Sequence, residues 1–178
     1  MSFKNNKKLK KILDKKLINQ KVRNIGKSIS KNFIGKKPIF IGVLKGSFIF
    51  TADLLRSIEI ECEVEFIKVQ SYKGTQSTGN IKITSDIKIN LKDRHIIIVE
   101  DIIDSGKTIK FLFSEFKEKS VKSISIATFL MKSNQQKFDF PIDYIGFEIK
   151  QGFVVGYGLD YNQKYRNLDS VYVLESKN

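Results

Sequence analysis

The run Ile96-Ile97-Ile98-Val99 constrains the fold more than any other part of the chain, because four β-branched residues follow one another with no polar alternation. Such a run suits a strand covered on both faces, as in a parallel sheet. It leads into two adjacent carboxylates, Glu100 and Asp101, and then into the small-residue turn Asp104-Ser105-Gly106-Lys107-Thr108. Beyond the turn, Ile109, Leu112, Phe113 and Phe116 recur at helical spacing. A buried strand therefore delivers a polar turn to the start of a helix, and a binding site is expected at that junction.

The first backbone N–H groups of a helix have no internal partners, and the helix dipole adds partial positive charge there, so Asp104 to Thr108 can wrap a phosphate. Gly106 lets the backbone approach closely. Glu100 and Asp101 are placed to accept hydrogen bonds from sugar hydroxyls or to hold a divalent cation. Two commoner phosphate motifs are excluded. Gly106-Lys107-Thr108 ends like a Walker A loop, but that motif needs glycine where Asp101 stands. Gly156-Tyr157-Gly158 begins like a dinucleotide fingerprint, but the third glycine position is Tyr161.

The rest of the pattern alternates strand and helix. Residues up to Leu17 are lysine-rich and are expected to form a loose arm or short helix. Asn19 is the expected N-cap of a helix carrying Val22, Ile25, Ile29 and Phe33, stopped by Gly35. A strand runs from Pro38 to Leu44, and Ser47 caps a helix to Ser57. A second apolar strand covers Val64 to Val69 and ends at Ser71-Tyr72, beyond which a polar, glycine-containing stretch has the composition of a lid. Strands His95 to Val99 and Ser123 to Leu130 flank a helix from Thr108 to Lys119. The expected fold is α/β, a mostly parallel twisted sheet flanked by helices. Past Met131, short aromatic segments with Gly146, Gly152, Gly156 and Gly158 suggest a small C-terminal hood over the sheet.

At 178 residues and 20.5 kDa the chain suffices for one domain with a substantial core. The domain is expected over residues 1–178, with an arm at 1–17 and the hood mainly at 132–178. Cys62 is the only cysteine and cannot form an internal disulfide, and no apolar run approaches membrane-spanning length, so a reducing cytoplasm and no membrane are expected. The net charge of +13 invites a nucleic-acid reading. Abundant lysine, isoleucine, asparagine and phenylalanine beside scarce alanine and proline instead point to an A/T-rich coding bias, and charge alone carries no recognition chemistry. Nucleic acid is therefore not the expected partner.

The run Val99 to Thr108 resembles the phosphoribosyl-pyrophosphate (PRPP) motif of the type I phosphoribosyltransferases, in particular their hypoxanthine-guanine branch. Three further segments agree in order. Leu44-Lys45-Gly46-Ser47 resembles the pyrophosphate loop of that family, Ser71-Tyr72 with Gln76-Ser77-Thr78-Gly79 its mobile lid, and Phe153 through Asp160 to Arg166 its purine-binding end. The resemblance spans roughly Val22 to Leu174.

It implies the type I phosphoribosyltransferase fold, Mg²⁺ as cofactor, and transfer of the phosphoribosyl group of PRPP to hypoxanthine or guanine, giving IMP or GMP. Asp104 would be the general base taking the N7 proton of the purine. Ser105, Gly106, Lys107 and Thr108 would cradle the 5′-phosphate, while Glu100 and Asp101 would hold the ribose hydroxyls and one Mg²⁺. Asp160, in the purine-binding segment, would help coordinate a second Mg²⁺ carrying the pyrophosphate. Lys45, Gly46 and Arg166 would bind pyrophosphate, and in this family the Leu44-Lys45 peptide can be cis. Lys132, Phe153 and Val154 would recognise the base, with lysine able to donate to a 6-oxo group and unable to accept from a 6-amino group. Ser71 and Tyr72 would close over the reaction. Ser133 and Lys150-Gln151 depart from the family pattern, which leaves the preference among hypoxanthine, guanine and xanthine open. The family also implies a homo-oligomer, dimer or tetramer. The rival reading is a PRPP-sensing, nucleic-acid-binding regulator on the same fold.

Overall fold

A computed structural model describes residues 8–72, 80–85, 87–132, 138–150 and 152–175. Its main sheet has six strands in the order β4 (Asn80–Ile83), β3 (Glu63–Tyr72), β2 (Ile39–Leu44), β5 (His95–Ile103), β6 (Ser123–Lys132) and β7 (Tyr144–Ile149). The last five are mutually parallel, and β4 turns back antiparallel on the end of β3. A second sheet of three strands joins β1 (Lys8–Leu13), β9 (Val171–Glu175) and β8 (Val154–Val155).

The unbroken apolar run has a direct structural cause. Along β5 the side chains alternate between two cores. Ile97 and Val99 join Phe40, Phe50 and Phe129 beneath helices α1 (Lys15–Asn32) and α2 (Phe48–Arg56). Ile96 and Ile98 join Ile109, Leu112 and Phe116 of helix α3 (Lys107–Glu118) on the other face. Both faces of the strand are dry, so neither tolerates a polar residue.

Several sequence expectations are corrected. Residues 8–13 are neither a loose arm nor a helix: they pair antiparallel with β9, from Lys8 opposite Glu175 to Leu13 opposite Val171. The lysines of β1 lie on a strand whose outer face is exposed, which is why the segment reads as polar in sequence. Helix α1 starts earlier than expected, capped by Asp14, whose Oδ1 accepts from the Leu17 N–H at 2.9 Å; Asn19 lies inside it. Ser47 does occupy the N-cap of α2, but its hydroxyl donates back to the Val43 carbonyl at 2.7 Å and leaves the helix amides alone. Strand β5 continues through the carboxylates to Ile103, held by β6 from Glu100 opposite Thr128 to Ile103 opposite Met131. Among the described residues no helix is long and apolar enough to cross a membrane.

Candidate active site

Parallel strands end on the same side of a sheet, so β2, β5 and β6 deliver Leu44, Ile103 and Lys132 to one edge. The loop after β2 and the turn after β5 meet the hood there.

The loop after β2 contains a cis peptide between Leu44 and Lys45. Gly46 follows, lying so close to β5 that a Cβ on it would stand 1.5 Å from Asp101 Oδ2. The Asp101 carboxylate is therefore laid across a bare stretch of backbone. Its other oxygen accepts from the Ile102 N–H at 2.9 Å, which fixes the rotamer.

Glu100 is the most unusual group in the molecule. It is 7% exposed, and its Oε2 is buried without a hydrogen-bond partner among the described residues. Burial first, and the neighbouring Asp101 charge second, raise its carboxyl well above the usual carboxylate range. A carboxyl whose pKa is higher folded than unfolded stabilises the fold only below the ordinary carboxylate range. That contribution is lost as pH rises through the raised value. Glu100→Gln is accordingly expected to raise Tm at neutral pH, by about 2–4 °C per kcal/mol for a chain of this size, and to flatten the fall in Tm between acid and neutral pH. A Tm lower than that of the unaltered protein across the pH series would refute this.

The turn after β5 enters α3 through Gly106, in the left-handed region at φ 70°, and α3 opens with no side-chain cap. Asp104 is thus not the helix cap. A Cβ on Gly106 would stand 2.3 Å from the Phe138 ring, so φ and packing both demand glycine. Ser105 and Lys107 are exposed, and Thr108 is half-buried. Asp104, outside the helix, accepts from Lys132 Nζ at 2.5 Å through Oδ2, joining the ends of β5 and β6.

The hood contributes the remaining wall. Val154 is buried, whereas Phe153 is 53% exposed, with its ring edge-on to Tyr161 at 5.6 Å. Asp160 Oδ1 pairs with Arg166 Nη2 at 2.7 Å, and Oδ2 accepts from the Gln163 N–H at 2.8 Å. Arg166 is therefore paired with Asp160. Gln163, which sequence reasoning missed, accepts through Oε1 from both Lys45 Nζ at 3.4 Å and Arg166 Nη2 at 3.3 Å. It links the two candidate pyrophosphate cations, yet a glutamine in a turn carries no sequence signal for that role.

Two clefts result, and Asp101 lines both. One, about 260 Å³, contains Asp104, Lys132, Phe153, Val154 and Asp160; the other, about 210 Å³, contains Gly46, Glu100 and Thr108. A larger cleft of about 430 Å³ between α1 and α2 holds none of these groups, so size does not mark the site here. The side chains of Ser71 and Tyr72, and Gln76 to Gly79, lie outside the described residues. His95, at the opposite end of β5, has Nδ1 2.6 Å from Ser123 Oγ and its ring edge-on to Phe33, a packing role.

The donor set fits a magnesium ion. Mg²⁺ is bound through one or two carboxylates with water and phosphate oxygens completing its shell, and the orphaned Glu100 Oε2 beside Asp101 offers such a pair. Asp160 is less available, since each of its oxygens already has a partner.

The sequence matches the phosphoribosyl transferase domain family over residues 8–162. It is 43% identical over 161 residues to the hypoxanthine-guanine phosphoribosyltransferase of Streptococcus pneumoniae, covering 90% of this chain and 89% of that one. To its Bacillus subtilis counterpart it is 41% identical over 165 residues, covering 92% of each. The fold is similar to the crystal structure of a hypoxanthine-guanine phosphoribosyltransferase from Bacillus anthracis, with a TM-score of 0.88 at 37% identity over 96% of this chain and 100% of that one. A parallel sheet carrying paired carboxylates into a left-handed glycine turn, together with identity of this extent over nearly the whole chain, places the protein in the hypoxanthine-guanine phosphoribosyltransferase family.

Proposed function

We propose that the chain transfers the 5-phosphoribosyl group of PRPP to N9 of hypoxanthine, and of guanine, giving IMP or GMP and pyrophosphate. The observation that carries this reading is the 2.5 Å pair between Lys132 and Asp104 in one cleft with Phe153 and Val154. A base stacked on Phe153 gains on the order of 1–3 kcal/mol. Lys132 Nζ donates to its 6-oxo oxygen, and a 6-amino group leaves that donor facing another donor, which disfavours adenine.

In the reaction N9 attacks C1 of PRPP, the bond from C1 to the pyrophosphate oxygen breaks, and the N7 proton passes to Asp104. The turn at Ser105, Gly106, Lys107 and Thr108 holds the 5′-phosphate on the uncapped amides of α3. Glu100 and Asp101 accept from the ribose hydroxyls and place negative charge beside an oxocarbenium-like centre. Lys45, Gly46 and Arg166 grip the departing pyrophosphate. Glu100 and Asp101, with Asp160 as a further candidate, would hold Mg²⁺, which when bound would supply charge neutralisation on that leaving group. Ser71 and Tyr72 belong to the lid that excludes water.

The test is turnover with PRPP and Mg²⁺ against hypoxanthine, guanine, xanthine and adenine in parallel. Nucleotide formation from 6-oxopurines and not from adenine is expected. Turnover of adenine alone would remove Lys132 as the selector, and none with any base would remove the function. The regulator reading gains no support from the Streptococcus pneumoniae and Bacillus subtilis relatives, both named as transferases.

We further propose that the chain works as a homo-oligomer in the cytoplasm. Strand β3 is paired by β4 only from Val69 to Tyr72, which leaves Val64 and Phe66 exposed on the sheet edge, and Phe48 is exposed at the start of α2. Sedimentation showing only a 20.5 kDa species at micromolar concentration would refute self-association. The half-buried lone thiol of Cys62 suits a reducing compartment.

A further inference from the structure

Tyr157 has no role in the site as described, yet its setting is the most constrained in the hood. It is 4% exposed, its ring packs on Phe129 at 4.6 Å, and its Oη donates to Asp53 Oδ2 at 2.7 Å. Burial, then the Asp53 hydrogen bond, push the phenol up, so it remains a donor at any ordinary pH. Asp53 lies in α2, the helix that begins immediately after the pyrophosphate loop, and Arg56 holds its other oxygen.

Tyr157 also sits at the centre of a turn of three consecutive left-handed residues, Gly156 at φ 98°, Tyr157 at 51° and Gly158 at 98°. A bulky side chain at positive φ is an outlier that its surroundings must hold in place. A Cβ on Gly158 would stand 2.1 Å from the Gly46 carbonyl oxygen, so this turn rests directly on the pyrophosphate loop. On its other side, the Gly158 carbonyl accepts from Arg166 Nη1 at 2.7 Å, and the Gly158 N–H donates to the Arg166 carbonyl at 3.0 Å. The Tyr157 phenol thus ends a continuous path from α2 through the turn to Arg166 and its partner Asp160.

We propose that Asp53 and Tyr157 are a positioning pair for the leaving group: their buried hydrogen bond seats the Gly156 to Gly158 turn on Gly46 and so aims Arg166 at the pyrophosphate. The proposal rests on the phosphoribosyl transfer proposed above and adds two residues that touch neither substrate. It separates the two substrates sharply. Phe153 and Val154 take their place from β9, through Val154 opposite Val173 and the Leu174 N–H on the Phe153 carbonyl at 2.9 Å, and do not depend on the phenol.

The test is steady-state kinetics with each substrate varied, in both directions, on the full chain. Tyr157→Phe keeps the ring on Phe129 and removes only the hydroxyl. It is expected to raise KM for PRPP, and for pyrophosphate in the reverse reaction, by about tenfold, as for loss of one charge-assisted hydrogen bond. KM for hypoxanthine should stay within about twofold and kcat within about threefold. Asp53→Ala should reproduce this, and Asp53→Asn, which still accepts from the phenol, should restore most of it. Tyr157→Phe combined with Asp53→Ala should be no worse than either alone, since both remove one interaction. Equal rises in the hypoxanthine and PRPP constants, or additive losses, would overturn the pairing and leave a general stabilising role. Transfer present with an unmoved KM for PRPP would overturn the pair alone. Transfer absent from the unaltered protein would overturn the function itself and the pair's role with it.

Discussion

Asp104→Asn is expected to lower kcat by about 10² to 10⁴-fold while leaving the affinity for PRPP within about threefold. The substitution is isosteric and takes away the negative charge and with it the capacity to accept a proton. Asp104 lies outside α3 and is half-exposed, with 54% of its side chain open, so the amide can occupy the same place at the cleft wall. Its loss of charge also weakens the pair with Lys132, but an ion pair this exposed contributes at most about 1 kcal/mol, so Tm should shift little. Calorimetric titration with PRPP and Mg²⁺, run beside single-turnover kinetics with hypoxanthine, separates binding from proton transfer. Turnover within a few-fold of the unaltered enzyme would remove Asp104 as base, and loss of PRPP binding in parallel would make it a phosphate-loop residue instead.

Gly46→Ala should be nearly as damaging, for a steric reason that no catalytic motif conveys. The added methyl group would stand 1.5 Å from Asp101 Oδ2, far inside contact distance. The carboxylate cannot simply swing away, because Oδ1 is held by the Ile102 N–H. Either Asp101 leaves the position proposed for it at the ribose or the loop after β2 lifts off β5, carrying Lys45 with it. A displacement of about 1 Å at reacting groups costs on the order of 10² in rate, so kcat/KM should fall at least that far. Overpacking of this kind costs about 1–3 kcal/mol of stability, readable as a lower Tm. Pairing the change with Asp101→Ala should recover the stability lost to the clash and none of the activity. A Gly46→Ala enzyme with unaltered kcat/KM for PRPP would show that the close approach is incidental.

The legible parts of the sequence were those whose cause is local. Ile96 to Val99 spelled out a doubly covered strand because each side chain meets a dry face whichever way it points. The turn from Asp104 to Thr108 was legible as a run of small and polar residues between an apolar strand and a helical pattern, and the structure gives its Gly106 a left-handed φ of 70°. The resemblance brought in Lys132 and Phe153, which composition could never have picked out from 32 basic residues and 14 phenylalanines. Residues 8–13 were misread for the opposite reason. Their strand exists only because β9, more than 150 positions away, supplies the other half of each hydrogen bond. A six-residue segment with three lysines and no clean alternation has no local property that distinguishes a strand at a sheet edge from a loose arm.

The same division runs through the site. Read alone, the sequence offered two carboxylates at a strand end and a small-residue turn suited to a phosphate, and the resemblance added Lys132 and Phe153 as expected contacts of a 6-oxopurine. Only the tertiary structure decided which groups act on one another. It laid Asp101 over Gly46, buried one Glu100 oxygen without a partner among the described residues, joined Lys132 to Asp104, and ran Tyr157 through the hood to Asp53. Each of these depends on where separate elements come to rest, and that is fixed by packing two dry cores on either face of the sheet. The identity of a residue sets what it can donate, accept or hold; the cores on which its strand or helix is seated set whether a partner stands within reach.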